Sequence, residues 1–326
     1  MKGKIGLEEH FAIPDTVGDS RRFCFPETWE NLKQGLLDVQ QKRLEVMDQN
    51  GIEVMVLSLN APAIQAIPDR KLAIDIAKRS NEFLAEQIAK QPKRFAGLAA
   101  LPMQDPDAAI SELQHAIKDY GFKGALVNSH SQVDSSDSMV YYDLPQYWPF
   151  WSEVEKLDIP FYLHPRCPAE SQQKMFEGHP WLLGSAWGFS VETATHALRL
   201  MGSGIFDEYP KLTIILGHLG EMLPSNIWRT SHRVTKEPGP KSLLPFSDYL
   251  HKNFYVTTSG NFRLSPLLTA MIEMGSDRIM FSSDYPFEDV GHAANWFDAL
   301  EIGEGERQKI GRLNAKKLFK LDFLEE

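Results

Sequence analysis

Cysteine is nearly missing from this chain. Only Cys24 and Cys167 occur among 326 residues, far apart and in no CxxC pattern. That excludes a disulfide framework and a thiolate zinc site, and it predicts reduced thiols in a cytoplasm. Basic charge is also short: Lys and Arg total 34 against 44 Asp and Glu, for a formal net charge of -10. With no basic patch to neutralise phosphates, nucleic acid and anionic membranes are excluded as partners. No apolar run approaches the ~20 residues of a membrane span, and no charged-then-apolar signal segment precedes the first strand-like run. A soluble, unprocessed protein acting on a small molecule or a protein partner is expected. Internal repeats, low-complexity tracts and Gly-, Ser- or Pro-rich linkers are missing too, which predicts a single domain over residues 1–326.

What is present is a rhythm. Strand-like runs recur at Ile5–Glu8, Val54–Leu59, Phe95–Leu101, Gly124–Asn128, Phe161–His164, Thr213–His218, Phe254–Thr257 and Ile279–Ser282. Between them lie segments of helical period, among them Leu36–Asn50 closed by Gly51, Lys71–Lys90 before Pro92, Pro106–Tyr120 closed by Gly121, and Tyr147–Leu157. Eight apolar strands alternating with amphipathic helices predict an α/β fold, a closed (β/α)8 TIM barrel. An open doubly wound sheet is the alternative, and it would need a Gly-rich phosphate turn after the first strand that this sequence does not have. Four connections are too long for bare turns: Ala12–Gly35, Ser129–Gln146, Pro165–Ser190 and Val234–Asp248. In a barrel such loops cover the C-terminal face, where active sites lie. Two of them carry Phe23, Phe25, Trp29, Phe176, Trp181, Trp187 and Phe189, a composition suited to an aromatic ligand or, equally, to a subunit interface.

Glu8 and His10 stand two residues apart at the end of the first run, Lys4-Ile5-Gly6-Leu7-Glu8-Glu9-His10-Phe11. On an extended strand such residues share a face, so a carboxylate and an imidazole emerge side by side. His164, His218 and Asp284 fall at the C-terminal ends of the fifth, sixth and eighth predicted strands. Strand ends converge on one mouth of a barrel, and five groups able to ligate metal or move protons would meet there. Two carboxylates with imidazoles suit zinc, manganese or iron better than calcium or copper(I). In Gly217-His218-Leu219-Gly220-Glu221, Glu221 can reach back and fix the imidazole of His218. Arg229 is either a cation for a substrate carboxylate, a partner for Glu221, or half of a surface ion pair. His115, His130, His179, His196, His232, His251 and His292 are read as structural or surface residues, and Cys167 as at most part of a pocket wall.

With these residues assembled, the chain resembles the amidohydrolase superfamily and, within it, the metal-dependent decarboxylases of hydroxylated benzoates, of the type acting on 2,6-dihydroxybenzoate (γ-resorcylate). The resemblance runs through Gly6-Leu7-Glu8-Glu9-His10-Phe11, Leu57-Ser58-Leu59-Asn60-Ala61-Pro62-Ala63, Phe122-Lys123-Gly124-Ala125-Leu126-Val127-Asn128, Pro160-Phe161-Tyr162-Leu163-His164-Pro165-Arg166, Ile215-Leu216-Gly217-His218-Leu219-Gly220-Glu221, Thr257-Thr258-Ser259-Gly260-Asn261-Phe262 and the Asp284 segment. It implies one divalent metal per subunit held by Glu8, His10, His164 and Asp284, manganese first and zinc as the alternative, with no organic cofactor. It also implies a homotetramer, a dimer of dimers, in which Arg229 is offered by a neighbouring subunit. Asp284 is then the proton donor to the ring carbon, assisted by His218 and Glu221. A carboxylate on a metal holds a proton poorly, so that proton is expected from the substrate phenol or a relay. Arg229, Phe23, Ala61, Trp187, Phe189 and Asn128 are the expected substrate contacts. His10 points toward the 2,6-dihydroxybenzoate type, because fungal-type 2,3-dihydroxybenzoate enzymes can have a non-ligating residue there. Ser129-His130, Cys167 and Tyr285 depart from the pattern and flank the pocket. Decarboxylation of 2,3-dihydroxybenzoate or salicylate, metal-dependent hydrolysis, and metal-dependent binding of an aromatic acid without turnover are the competing readings.

Overall fold

Parallel strands buried on both faces must be apolar almost throughout, and the segments that pair here are of that kind: Ile52–Leu59 reads IEVMVLSL and Thr213–Leu216 reads TIIL. The structure, a computed structural model, describes residues 1–324, except for the side chain of Phe23. Its strands are β1 (Lys4–Phe11), β2 (Ile52–Leu59), β3 (Phe95–Ala100), β4 (Gly124–Asn128), β5 (Pro160–His164), β6 (Thr213–Leu216), β7 (Phe254–Thr257) and β8 (Ile279–Met280). Each pairs in parallel with the next, in the order β1 to β8. The result is the expected α/β barrel, nearly closed. Ile5, Leu7, Val54, Val56, Leu98, Tyr162 and Met280 fill the interior, and a larger apolar cluster lies between strands and helices.

At the β8–β1 seam no strand ladder forms among the described residues. Two β1 amides bond across it instead: the Glu8 N–H donates to Ser282 Oγ at 2.8 Å, and the His10 N–H donates to the Tyr285 carbonyl at 2.7 Å.

Three expectations need correction. The helix predicted over Leu36–Asn50 is interrupted: Leu36 and Leu37 close a helix, Trp29–Leu37, that begins inside the predicted loop Ala12–Gly35, and the next helix is Lys42–Gln49. Asp38 breaks it, because its carboxylate accepts from the amides of Gln40, Gln41 and Lys42 and so competes with the helical ladder. The predicted loops also hold order of their own. Val17–Phe23, Glu170–Phe176 and Pro180–Leu182 form short helical turns. Finally, the sixth and eighth strands stop at Leu216 and Met280, so His218 and Asp284 stand two and four residues beyond strand ends. No helix among the described residues is long and apolar enough to cross a membrane.

Candidate active site

The first strand is not regular. Gly6 pairs with Met55 and Glu9 with Leu57, three steps against two, which marks a bulge. Bulges re-aim side chains. Ile5 and Leu7 belong to the interior cluster, and after the bulge Glu8 and His10 face the barrel mouth while Glu9 points away from it. Glu8 is fully buried and its two oxygens are treated differently. Oε2 accepts from the hydroxyls of Tyr162, Ser259 and, at 3.4 Å, Thr257. Oε1 has no hydrogen-bond partner and faces His164 Nε2 at 3.0 Å and His218 Nε2 at 3.7 Å. Burial alone would raise this carboxyl, but the His218 charge and the close His164 and His10 imidazoles overcome it and hold it well below the usual carboxylate range.

His10 is oriented by Ser58 Oγ, 3.3 Å from Nδ1, and its buried Nε2 has no hydrogen-bond partner while lying 3.4 Å from Asp284 Oδ1. The His164 ring packs edge-on against it, centroids 4.8 Å apart. Burial pushes His164 below the ordinary histidine value, although Glu8 opposes the shift. Metal-competent atoms of Glu8, His10 and His164 lie within 4.8 Å of one another, as do those of Glu8, His218 and Asp284. Buried donors and acceptors without partners are costly. Glu8 Oε1 and His10 Nε2, aimed at one point with imidazole and carboxylate neighbours, are what a bound divalent cation would satisfy, so the residues fit the metal.

His218 and Asp284 are held by strained backbone. His218, Leu219, Glu221 and Met222 have φ of +50°, +57°, +52° and +68°, and Asp284 has +66°. Left-handed conformations cost non-glycine residues roughly 1–2 kcal/mol each and persist where surrounding contacts enforce them. The tight turn brings Glu221 Oε1 to 2.5 Å from His218 Nδ1, and Ser190 Oγ donates to Glu221 Oε2 at 2.7 Å. His218 Nε2 then faces Asp284 Oδ2 at 3.6 Å. Desolvation opposes its charge, yet the Glu221 and Glu8 carboxylates raise the imidazole well above its ordinary value. Gly217 is required by this crowding: a Cβ there would stand 2.6 Å from Glu8 Oε2.

A cavity of about 780 Å3 opens beside these groups, with Ala61, His164, Phe189, His218, Asp284 and Phe287 in its wall. Of the expected substrate contacts, Ala61 and Phe189 line it. Asn128 does not; its amide donates to the carbonyls of Asn60 and Pro62 and so holds the loop carrying Ala61. Trp187 is exposed outside the lining, and the Phe23 side chain lies outside the described residues. Arg229 is exposed on the helix Leu223–Val234, away from the cavity of its own chain, and Glu221 is bonded to His218 and Ser190. Tyr285 lines the cavity, whereas Cys167 is buried outside it. His130 pairs with Glu192 at 2.9 Å, and His196 bonds Ser129 and the Tyr142 amide, both inside the protein and outside the lining.

Sequence reasoning assigned no role to Tyr162, Ser58, Thr257, Ser259 or Glu9. Tyr162 carried a usable signal, since it sits two residues before His164 on the same strand and so shares its face. Burial first, then the Glu8 charge, raises the Tyr162 phenol well above its ordinary value and keeps it a donor.

Comparison with known proteins gives a consistent picture. The amidohydrolase family profile matches residues 37–321. The chain is 58% identical over 325 residues to the gamma-resorcylate decarboxylase of Rhizobium sp. (strain MTP-10005), covering 99% of both. It superposes on the crystal structure of a 2,6-dihydroxybenzoate decarboxylase complexed with 2,6-dihydroxybenzoate with a TM-score of 0.97, at 57% identity, covering 98% of this chain and 100% of that one. The dihydroxybenzoic acid decarboxylase from Polaromonas sp. JS666, solved with manganese and the inhibitor 2-nitroresorcinol, gives a TM-score of 0.97 at 55% identity, over 99% of this chain and 98% of that one.

Proposed function

This chain belongs to the amidohydrolase family, and from that premise we propose that it is a carboxy-lyase converting 2,6-dihydroxybenzoate to resorcinol and CO2 without oxidation. The observation that carries the reading is the convergence of Glu8 Oε1, His10 Nε2, His164 Nε2 and the Asp284 carboxylate beside a cavity walled by Ala61, Phe189 and Phe287. Glu8, His10, His164 and Asp284 hold one divalent metal in this account. The manganese in the Polaromonas relative supports Mn2+, with Zn2+ the alternative that the same donors accept. Such a cation supplies positive charge against the negative charge developing on the substrate's oxygens.

Direct loss of CO2 would leave an electron pair on an aryl carbon, so protonation of that carbon comes first. The ortho hydroxyls of the substrate enrich it in electron density. Asp284 delivers the proton, a C–H bond forms, the C–CO2 bond breaks, and its electron pair restores the aromatic ring. His218, held at Nδ1 by Glu221, presents Nε2 toward Asp284 Oδ2 and takes part in the proton's path. A positioned acid contributes roughly 10²–10⁴-fold. Phe189 and Ala61 enclose the ring where water is excluded and electrostatic effects are stronger. No organic cofactor is needed.

In the same reading residues 1–326 form one catalytic unit, and four copies assemble as a dimer of dimers in the cytoplasm. Arg229 stands exposed beside the exposed Trp228, which supports its insertion into a neighbour's cavity. Both cysteines are free, which supports a reducing compartment. The reaction is tested by incubating the protein with 2,6-dihydroxybenzoate, 2,3-dihydroxybenzoate or salicylate, with Mn2+ or Zn2+, and following ultraviolet absorbance. Loss of 2,6-dihydroxybenzoate with one CO2 per resorcinol is expected, fastest with Mn2+. High bicarbonate should drive carboxylation of resorcinol, since nothing makes the reaction one-way. Acid release from a lactone, with no CO2 from any benzoate, would replace this reading with hydrolysis.

A further inference from the structure

Glu9 is a fully buried carboxylate on the wrong side of β1 for the metal site, on the face where this barrel otherwise packs apolar residues against helices. Burying a charge there is costly unless its oxygens are bonded. They are, and all the recorded partners lie in one short segment. Oε1 accepts from Ser282 Oγ at 3.2 Å and from the Ser283 N–H at 2.9 Å. Oε2 accepts from Ser283 Oγ at 2.6 Å and from the Tyr285 N–H at 3.2 Å. The two amides bonded are those of the residues immediately before and after Asp284, whose own backbone is left-handed.

The same place is where the barrel has no ladder. β8 ends at Met280, and the chain from Ser282 to Tyr285 runs beside β1 joined by the Glu8 and His10 amide bonds and by this carboxylate. Arg43, also fully buried, reinforces the seam: it donates to the His10 carbonyl at 2.5 Å and lies over the Tyr285 ring, 4.6 Å from its centroid. A cation at that point balances the Glu9 charge without approaching the cavity.

The geometry points to Glu9 as a positioning residue that replaces the missing β8–β1 ladder and sets the Asp284 carboxylate against Glu8 and His10. This rests on reading those three side chains as parts of one metal site. A Glu9→Gln side chain keeps the volume but turns an NH2 toward donors that need an acceptor, so the Asp284 segment should relax away from β1. Outer supports of a metal site are typically worth 10–100-fold in metal affinity. Ser283→Ala removes one hydroxyl bond and leaves the two amide bonds.

The test is calorimetric titration of metal-stripped protein with Mn2+, without substrate, together with kcat, KM and thermal midpoint. In Glu9→Gln the Mn2+ Kd should rise about tenfold or more, and kcat should fall about tenfold or more with KM changed far less. Ser283→Ala should weaken Mn2+ by about threefold, a smaller effect in proportion to one lost bond, and it carries the test if Glu9→Gln does not fold. A lower thermal midpoint with parent-like Mn2+ affinity and kcat would mean a purely structural role and overturn the inference alone. A parent protein that binds no Mn2+ would overturn the proposed function and this inference with it.

Discussion

Asp284→Asn is expected to lower kcat on 2,6-dihydroxybenzoate by about a thousandfold, within the range measured for loss of a positioned general acid. Asparagine is the informative replacement for a backbone reason. Asp284 has φ +66°, and Asn is among the few L-residues that tolerate this region, whereas Ala would add strain of its own. The amide keeps one oxygen, to face either His10 or His218, and carries no acidic proton, so the ring carbon is not protonated. Thermal midpoint should stay close to the parent, because Asp284 borders the cavity and bears none of the core packing. Turnover near the parent rate, with metal present, would remove Asp284 from the acid role.

Glu8→Gln should be nearly as damaging, for a different reason. Glu8 Oε2 is pinned by Tyr162, Ser259 and Thr257, which leaves Oε1 free to face His164 and His218. An amide in that place either turns NH2 toward the metal position, where nitrogen with no free pair cannot ligate, or turns it toward three hydroxyls that are already committed. The negative charge that balances the surrounding imidazoles is lost as well. Mn2+ affinity should fall about a hundredfold or more, roughly 2.7 kcal/mol, since even outer supports of such sites are worth 10–100-fold. Tyr162→Phe, which removes one of the three pinning hydroxyls, should cost only about tenfold. Equal affinity in parent and Glu8→Gln would show that the metal sits elsewhere.

These residues also mark how far the sequence could be read. The barrel was legible because each strand is a short apolar run and most helices end at Gly or before Pro, so periodicity and stop signals agreed. Glu8 and His10 were legible from their spacing, and His164 from its strand end. Asp38 was not, because an aspartate inside a helical pattern looks like an exposed helix residue until its carboxylate is seen to accept three successive amides. The left-handed turn from His218 to Met222 carries one glycine, Gly220, and otherwise residues that seldom adopt positive φ, so no local preference announced it. Glu9 was silent for a similar reason. Strand alternation sends it away from the mouth, and its partners lie about 274 positions along the chain, at a seam that no strand pattern predicts. Arg229 is the converse case, a residue assigned by resemblance whose exposed position within one chain leaves its role to an assembly.

The central claim is that a metal held by Glu8, His10, His164 and Asp284 makes this barrel a decarboxylase. The most direct measurement is resorcinol formation from 2,6-dihydroxybenzoate by one preparation before chelation, after chelation and after restoring Mn2+, with metal content determined by elemental analysis on the same samples. The account predicts that resorcinol formation disappears with the metal and returns in proportion to Mn2+ bound, approaching one per subunit. Undiminished resorcinol formation in protein shown to be free of metal would contradict it.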